Sequence, residues 1–274
     1  MERIHRIFAN RNHYLKACLD RLQIPHEYER SIVGETVFLL IPETHAQWPE
    51  LSQCLQGLDV FHTVELSFTL AEIRAAPWCE LGAAGHFGYP QPDEDFGYKA
   101  ITYDAEAGCM TCGIGAVQRA PFRFRKAPTQ RRSQIIQLNW VFDEFFVSSD
   151  ARGQLEAAGI TGIDFEQPVL HRSGEPMAGW FQMRVLETAE SRVKTAGLVT
   201  ETCQVCGRVK FNSPAGEMLA LQEPLPSSSA DVVKSREWFG SGGSAQRLVL
   251  VSQRFVAVVL QHKWRGLCLS PIAV

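Results

Sequence analysis

The stretch "EAGCMTCGIGA" at residues 106–116 places two cysteines two residues apart and follows them directly with a glycine. A second stretch, "ETCQVCGRV" at residues 201–209, repeats this arrangement. The two-residue spacer lets both sulfur atoms face one metal ion, and the glycine lets the backbone turn through positive φ so that its amides face the thiolates. The repeated Cys-x-x-Cys-Gly unit is therefore typical of a pair of zinc knuckles.

Each knuckle supplies two ligands, whereas a structural zinc ion takes four. We therefore predict that one structural Zn²⁺ is bound in a closed tetrahedral site by Cys109, Cys112, Cys203 and Cys206. Such a site would join two segments that lie far apart in the sequence. In small zinc domains the metal contributes folding free energy on the order of 10 kcal/mol.

Dithiol redox chemistry is an alternative interpretation of the same cysteines, because a Cys-x-x-Cys pair lowers a thiol pKa and forms a readily reversed disulfide. A redox active site needs only one such pair, usually between a strand and a helix with an aromatic residue or proline beside it. Here there are two pairs, flanked by Gly, Met, Thr, Gln and Val. The sequence therefore favours metal binding, and four cysteines with no common partner are the third interpretation.

The remaining composition is compatible with a cytoplasmic metal protein. The chain has 274 residues and eight cysteines, far below the cysteine density of a small secreted disulfide scaffold. Four cysteines have no ligand-like spacing, and we expect them to be buried thiols: Cys18, Cys54, Cys79 and Cys268. The N-terminus is charged from its second residue, and the longest apolar runs are too short to span a bilayer. We therefore expect a soluble, cytoplasmic protein that has no membrane partner.

The formal net charge of −3 argues against duplex nucleic acid as the main partner. One stretch, "RAPFRFRKAPTQRR" at residues 119–132, nevertheless alternates basic and aromatic residues in a way that suits single-stranded nucleic acid. The same alternation suits an edge strand with a solvated charged face. Its members are Arg119, Phe122, Arg123, Phe124, Arg125, Lys126, Arg131 and Arg132. A nucleic-acid-binding zinc protein that uses this stretch is therefore the alternative function.

Residues 1–95 are predicted to form an N-terminal α/β domain in the order helix, strand, helix, strand. The predicted helices lie in "NRNHYLKACLDRLQIPHEYE" and "THAQWPELSQCLQGL", and the strands in "GETVFLLIP" and "DVFHTVELSFT". Thr44 is the expected N-cap of the second helix. A further helix, "TLAEIRAAPWCEL", is expected to begin with a capping box of Thr69 and Glu72. A Gly-, Pro- and Asp-rich stretch then marks a domain boundary near residue 95.

Residues 96–274 contain a weak internal repeat. The segment "FFVSSDARGQLEAAGITGIDFEQPV" at 145–169 matches "LVLVSQRFVAVVLQHKWRGLCLSPI" at 248–272 when Val147 is aligned with Val251. Each copy is predicted to form a strand, a helix capped by Ser148 or Ser252, a glycine turn and a second strand. The predicted fold class is therefore α+β, with an N-terminal α/β unit followed by a zinc-stapled pair of strand-helix-strand modules.

The pair "CMTCG" and "CQVCG", with the "VSxxxxxxLxxxGxxGxxF" module after the first, resembles the double-CXXCG motif proteins. These bacterial proteins are described as immunity proteins that protect a cell from a toxin delivered by a sibling. The resemblance covers about residues 105–274. It implies a protein that binds and neutralises one cognate toxin and has no catalytic activity of its own.

A search of the sequence for catalytic motifs agrees with that implication. The eight histidines form no His-x-x-x-His pair, and there is no Gly-x-Ser-x-Gly elbow. The glycine-rich "FGSGGSA" at residues 239–245 lacks the Gly-Lys-Ser/Thr ending of a phosphate-binding loop. We expect it to be a mobile loop or a partner contact, and we expect the protein not to be an enzyme.

Overall fold

A computed structural model describes residues 1–10, 13–31, 34–129 and 133–274. It confirms the α+β class, with helices interspersed among several small sheets. The chain divides into two compact units. The first comprises Met1–Glu72 with Pro214–Met218, and the second comprises Ile73–Ser213 with Leu219–Val274.

The first unit contains two helices and a four-stranded sheet. Its elements are β1 (Glu2–Asn10), α1 (His13–Arg21), β2 (Glu27–Ser31), β3 (Gly34–Pro42), α2 (Trp48–Leu55) and β4 (Val60–Ser67). The strand order is β2-β3-β1-β4, and all neighbouring strands are antiparallel. Both predicted helices and both predicted strands are present.

Strand β1 lies at the centre of this sheet, where no strand is predicted from the sequence. It pairs with β3 on one side and with β4 on the other. Several of its residues are charged, but every second position from His5 onward is buried, namely His5, Ile7 and Ala9. Because a strand with one buried face needs only alternate apolar positions, a charged segment can still supply the central strand.

The cysteines of the first unit differ from expectation. Cys18 in α1 and Cys54 in α2 form a disulfide, so they are not the free thiols that we expected. The two helices pack beside each other, which brings together cysteines 36 residues apart. In the second unit, Cys79 is the buried free thiol that we expected, whereas Cys268 is exposed.

Thr44 is not the N-cap of α2. The helix begins four residues later at Trp48, and the residue before it, Gln47, makes no capping side-chain bond. The hydroxyl of Thr44 instead donates a hydrogen bond of 2.5 Å to the carboxylate of Glu2. A proline in the first turn of α2 lacks an N–H, so it removes one of the donors that a cap would satisfy.

The predicted capping box is present at α3 (Leu70–Ala75). The amide of Thr69 donates to the carboxylate of Glu72 at 2.8 Å, and the amide of Glu72 donates to the Thr69 hydroxyl at 3.2 Å. The helix is shorter than predicted, because the following "WCEL" belongs to β5 (Trp78–Ala83). Since β5 pairs with strands of the second unit, the units divide after Glu72, whereas the sequence placed a boundary near residue 95.

The second unit contains two sheets of four and five strands and two short strand pairs. Its further elements are α4 (Tyr98–Thr102), β6 (Arg123–Phe124), β7 (Ile135–Leu138), β8 (Val141–Ser148), α5 (Ser149–Ala157), β9 (Ile163–Glu166), β10 (Val169–Leu170), β11 (Trp180–Val185), β12 (Glu187–Thr188), β13 (Thr200–Thr202), β14 (Val209–Phe211), β15 (Val232–Lys234), β16 (Val249–Ser252), α6 (Gln253–Gln261) and β17 (Leu267–Pro271). The sheet orders are β7-β8-β11-β9 and β12-β15-β16-β5-β17.

The two predicted modules are β8-α5-β9 and β16-α6-β17. In the first, β8 and β9 both pair antiparallel with β11, which lies between them. In the second, β16 and β17 both pair antiparallel with β5 in the same way. The order strand, helix, strand is therefore confirmed in both copies, and each copy encloses a third strand from elsewhere in the chain.

The two modules share one hydrophobic core. Leu155 of α5 and Val147 of β8 belong to the same buried cluster as Val251 of β16 and Phe255 of α6. Each module has one helix, and alone it would leave one face of its apolar residues uncovered. Packing the copies together buries both faces, because a module of this size is too small to bury a core of its own.

Candidate metal centre

The first knuckle is a loop held by its own backbone. The amide of Gly113 donates to the carbonyl of Cys109 at 2.7 Å, and the amide of Cys109 donates to the carbonyl of Ile114 at 3.0 Å. Gly113 has a φ of 82°, a conformation that glycine adopts without steric cost. The amides of Thr111 and Cys112, inside this turn, face the sulfur of Cys109.

The second knuckle connects β13 to β14 and repeats these hydrogen bonds. The amide of Gly207 donates to the carbonyl of Cys203 at 2.9 Å, and the amide of Cys203 donates to the carbonyl of Arg208 at 2.9 Å. Gly207 has a φ of 69°. The two knuckles therefore have the same local structure, as their shared sequence pattern predicts.

The fold brings all four predicted cysteines together. Their sulfur atoms lie within 4.8 Å of one another, with 3.9 Å between Cys109 and Cys203 and 3.7 Å between Cys112 and Cys206. A metal with bonds of about 2.3 Å to four tetrahedral thiolates requires sulfur separations of about 3.8 Å. The four cysteines thus form a cluster that could hold one metal ion.

Backbone amides favour the thiolate form at one cysteine of each knuckle. Hydrogen bonds from the amide of Cys112 and then of Thr111 lower the pKa of the Cys109 thiol to about 6. The amides of Cys206 and Val205 likewise lower the pKa of Cys203. Because the thiolate is the form that binds metal, both loops are organised for ligation.

Burial acts in the opposite direction at Cys112. Removal from water raises the pKa of this thiol to about 12, since the charged form loses its hydration. A divalent cation at the centre of the cluster would offset that cost, because metal coordination deprotonates a thiol.

Two lysines hold the glycine-rich loop beside the cluster. The ammonium of Lys210, which has no solvent exposure, donates to the carbonyls of Gly242 at 2.6 Å and Ser244 at 3.0 Å. The ammonium of Lys99 donates to the carbonyl of Gly243 at 2.6 Å. The loop that we expected to be mobile is therefore held by hydrogen bonds at three consecutive carbonyls.

Lys99 also interacts electrostatically with the cysteines. Burial lowers its pKa, while the nearby Cys112 and Cys109 oppose that shift. Four thiolates around a divalent cation carry a net charge of −2, so a partly buried ammonium beside them reduces the cost of placing that charge inside the protein. Neither lysine could be identified from the sequence: Lys99 precedes Cys109 by ten residues and Lys210 follows Cys206 by four, but neither belongs to a recognisable motif.

The basic-aromatic stretch does not form a continuous binding face. Phe122 and Phe124 are buried in the core, so their rings are not available for stacking with successive bases. The guanidinium of Arg119 donates to the carbonyl of Ala100 at 2.7 Å. Arg125 and Lys126 are exposed, and two further cations, Arg131 and Arg132, lie outside the described residues.

A buried ionic cluster joins Lys234 of β15 to Asp143 and Glu144 of β8. The ammonium of Lys234 approaches Asp143 at 3.0 Å and Glu144 at 2.6 Å. Strand β8 also buries Phe145 and Phe146. The carboxylates of Asp143 and Glu144 are thus paired with a buried cation inside the protein.

A comparison with protein-family models gives no match, and neither does a comparison with curated proteins. Within the part of the chain that the structure describes, no helix has the length and apolarity needed to cross a bilayer.

Proposed function

We propose that the four cysteines bind one Zn²⁺ and that the ion has a structural role. The all-thiolate ligand set suits zinc, and the sulfur separations of 3.9 Å and 3.7 Å are close to those that a tetrahedral zinc site requires. The ion would join a loop after α4 to the β13–β14 hairpin, and these segments are 94 residues apart. Such a cross-link stabilises the folded state, because a preformed site does not exist in the unfolded chain.

The functional proposal rests on one observation: four cysteine sulfurs surround the site, which leaves it closed to other ligands. Four protein sulfurs fill the coordination sphere of a tetrahedral ion, so a bound metal would have no position for a catalytic water. A site of this kind supports a shape rather than a reaction. We therefore assign the protein a binding role without catalysis.

The binding partner that we propose is a cognate bacterial toxin, neutralised in the cytoplasm by direct contact. The support for this partner is the resemblance of the two knuckles and the first module to the double-CXXCG immunity proteins. The zinc-stabilised second unit would supply the rigid surface that such a contact needs, since pre-organised surfaces lose less conformational entropy on binding.

Co-expression tests this proposal. A toxin encoded next to this chain should be lethal alone and tolerated together with the chain, and an affinity pull-down should recover the pair at physiological salt. Cys203→Ser should abolish protection by loosening the second knuckle, whereas Cys268→Ser, at an exposed cysteine outside the cluster, should retain it. Equal lethality with and without the wild-type chain would contradict the proposal.

The alternative function, binding of single-stranded nucleic acid along residues 119–132, predicts a different salt dependence. Phosphate contacts release counterions, so affinity should fall steeply with added salt, whereas a protein interface should weaken much less. The buried positions of Phe122 and Phe124 favour the protein partner, because continuous base stacking needs exposed rings.

A further inference from the structure

A pocket of 580 Å³ lies in the second unit, and its lining contains no cysteine. One wall is the segment 86–93, and the other is formed by residues 124–126. The segment is fixed at both ends, because the amide of Phe87 donates to Gln137 of β7 at 2.8 Å and the amide of Gln91 donates to Arg123 of β6 at 2.9 Å. The pocket is thus a built feature, and its size is typical of small-ligand sites.

Three aromatic side chains line this pocket: Phe87, Tyr89 and Phe124. Phe87 and Phe124 are stacked with 6.4 Å between ring centroids and 28° between planes. Tyr89 packs on Trp140 at 4.4 Å and remains 42% exposed. A planar ligand inserted between these walls could contact both the Phe87 and the Tyr89 rings, which favours an aromatic group.

Two cations lie at the mouth of the pocket. Arg125 and Lys126 line it and are exposed, and neither forms an ion pair with any residue that the structure describes. Other arginines of the same unit are paired, such as Arg152 with Glu156 at 2.8 Å and Arg254 with Asp231 at 2.8 Å. Arg125 and Lys126 are therefore available for an anionic ligand, and guanidinium and ammonium groups suit a phosphate in particular.

Asp93 also lines the pocket, and no ion pair in the described part of the chain engages its carboxylate. An unpaired carboxylate accepts hydrogen bonds from hydroxyl or amino groups. The pocket thus combines an aromatic wall, a cationic mouth and one acceptor.

We propose that this pocket binds a nucleoside monophosphate. The base packs against Phe87 and Tyr89, the phosphate is bound by Arg125 and Lys126, and Asp93 accepts a hydrogen bond from the ribose or the base. One nucleotide occupies the pocket, whether it is free or is one residue of a single strand. This inference rests on neither the metal centre nor a toxin partner, and its failure would leave both unchanged.

Calorimetric titration of the full chain with AMP tests the proposal. We expect saturable binding with one site per chain, and at least tenfold weaker binding for the Arg125→Ala/Lys126→Ala double variant. Adenosine and inorganic phosphate should each bind at least tenfold more weakly than AMP, because each makes only half of the contacts. Lys263→Ala, which removes an exposed cation outside the pocket lining, is the matched control and should bind AMP as the wild type does.

The proposal would be overturned if AMP showed no saturable binding, or if its affinity were unchanged in the double variant while circular dichroism shows both proteins folded. A single-stranded hexa-adenylate identifies the source of the nucleotide. Tighter binding than AMP that is lost in the double variant supports a nucleotide within a strand, and weaker binding than AMP supports a free nucleotide. Hexa-adenylate binding that survives the double substitution would place nucleotide recognition elsewhere and contradict the proposal.

Discussion

Gly162 and Gly266 occupy equivalent turns of the two modules, and each packs against the backbone of the strand that precedes the opposite module. A Cβ atom at Gly162 would overlap the carbonyl oxygen of Val232, and a Cβ atom at Gly266 would overlap the carbonyl oxygen of Ile135. Both glycines have positive φ, at 84° and 96°. The contact is therefore reciprocal.

The two carbonyl partners are themselves equivalent. Ile135 pairs with Val147 in the first sheet, and Val232 pairs with Val251 in the second. The repeat thus extends to the strand that precedes each module, and the interface between the copies is self-complementary, as in a symmetric dimer.

This reciprocity predicts that an added methyl group is costly at both turns. Gly162→Ala and Gly266→Ala should each lower the free energy of unfolding by about 3 kcal/mol, because they combine a strained φ with a steric overlap. Gly153→Ala is the matched control. It lies in α5 with open space around its Cβ position, so it should raise the free energy by about 0.5–1 kcal/mol. Urea denaturation measures all three.

The two helix caps give a second prediction. The Ser148 hydroxyl accepts from the amide of Ala151 at 3.2 Å, and the Ser252 hydroxyl accepts from the amide of Phe255 at 3.4 Å. Ser148→Ala should therefore cost about 1 kcal/mol of unfolding free energy.

Ser252→Ala should cost more, because the Ser252 hydroxyl also donates to Asp231 at 2.7 Å, and the substitution removes this bond as well. Ser149→Ala, one residue inside α5, should change the free energy of unfolding by less than about 0.5 kcal/mol. Equal stability of all three variants would show that neither serine acts as a cap.

Metal content tests the cysteine cluster directly. Mass spectrometry of the native protein should find one zinc per chain, and Cys203→Ser should reduce that content and lower the melting temperature, because it removes one of the four ligands. Cys54→Ser removes a cysteine of the first unit that is bonded to Cys18, and it should leave the zinc content unchanged. A wild-type chain that is folded and free of metal would contradict the zinc assignment.

Glu80 predicts a pH dependence of stability. Burial raises the pKa of this carboxyl group from 4.5 to about 7, so the folded state binds a proton more tightly than the unfolded state. Stability therefore falls as the pH rises from about 4.5 to 7. Glu80→Gln should raise the free energy of unfolding at pH 8 by up to about 3 kcal/mol and should change it little at pH 4. Equal gains at both pH values would exclude ionisation of Glu80 as the cause.

The ionic cluster of Lys234, Asp143 and Glu144 gives the last prediction. Lys234→Met should cost about 3–5 kcal/mol, because it leaves the buried carboxylates of Asp143 and Glu144 without their cation. The triple variant in which Met, Asn and Gln replace Lys234, Asp143 and Glu144 should recover part of that loss. Lys194→Met, at an exposed lysine, is the matched control and should have little effect on denaturation.

The sequence alone determines those features that depend on local chemistry. The two knuckles, the caps at Ser148 and Ser252, and the capping box of Thr69 and Glu72 all follow from a few neighbouring residues. The repeated module also follows, because its strand, helix and glycine turn have short-range signals. The four cysteines of the metal centre could therefore be named from their spacing, and the fold brings them together.

Only the tertiary structure decides which distant segments meet. The segment at Trp78–Ala83 reads as part of a helix, yet β5 pairs with strands that lie more than 160 residues later. In the same way, the disulfide of Cys18 with Cys54 depends on the packing of two helices, and Lys210 and Lys234 are buried only because carbonyls or carboxylates from remote segments surround them. Pairing and charge compensation over such distances have no local pattern, since their free energy arises from contacts that form only when the whole chain has folded.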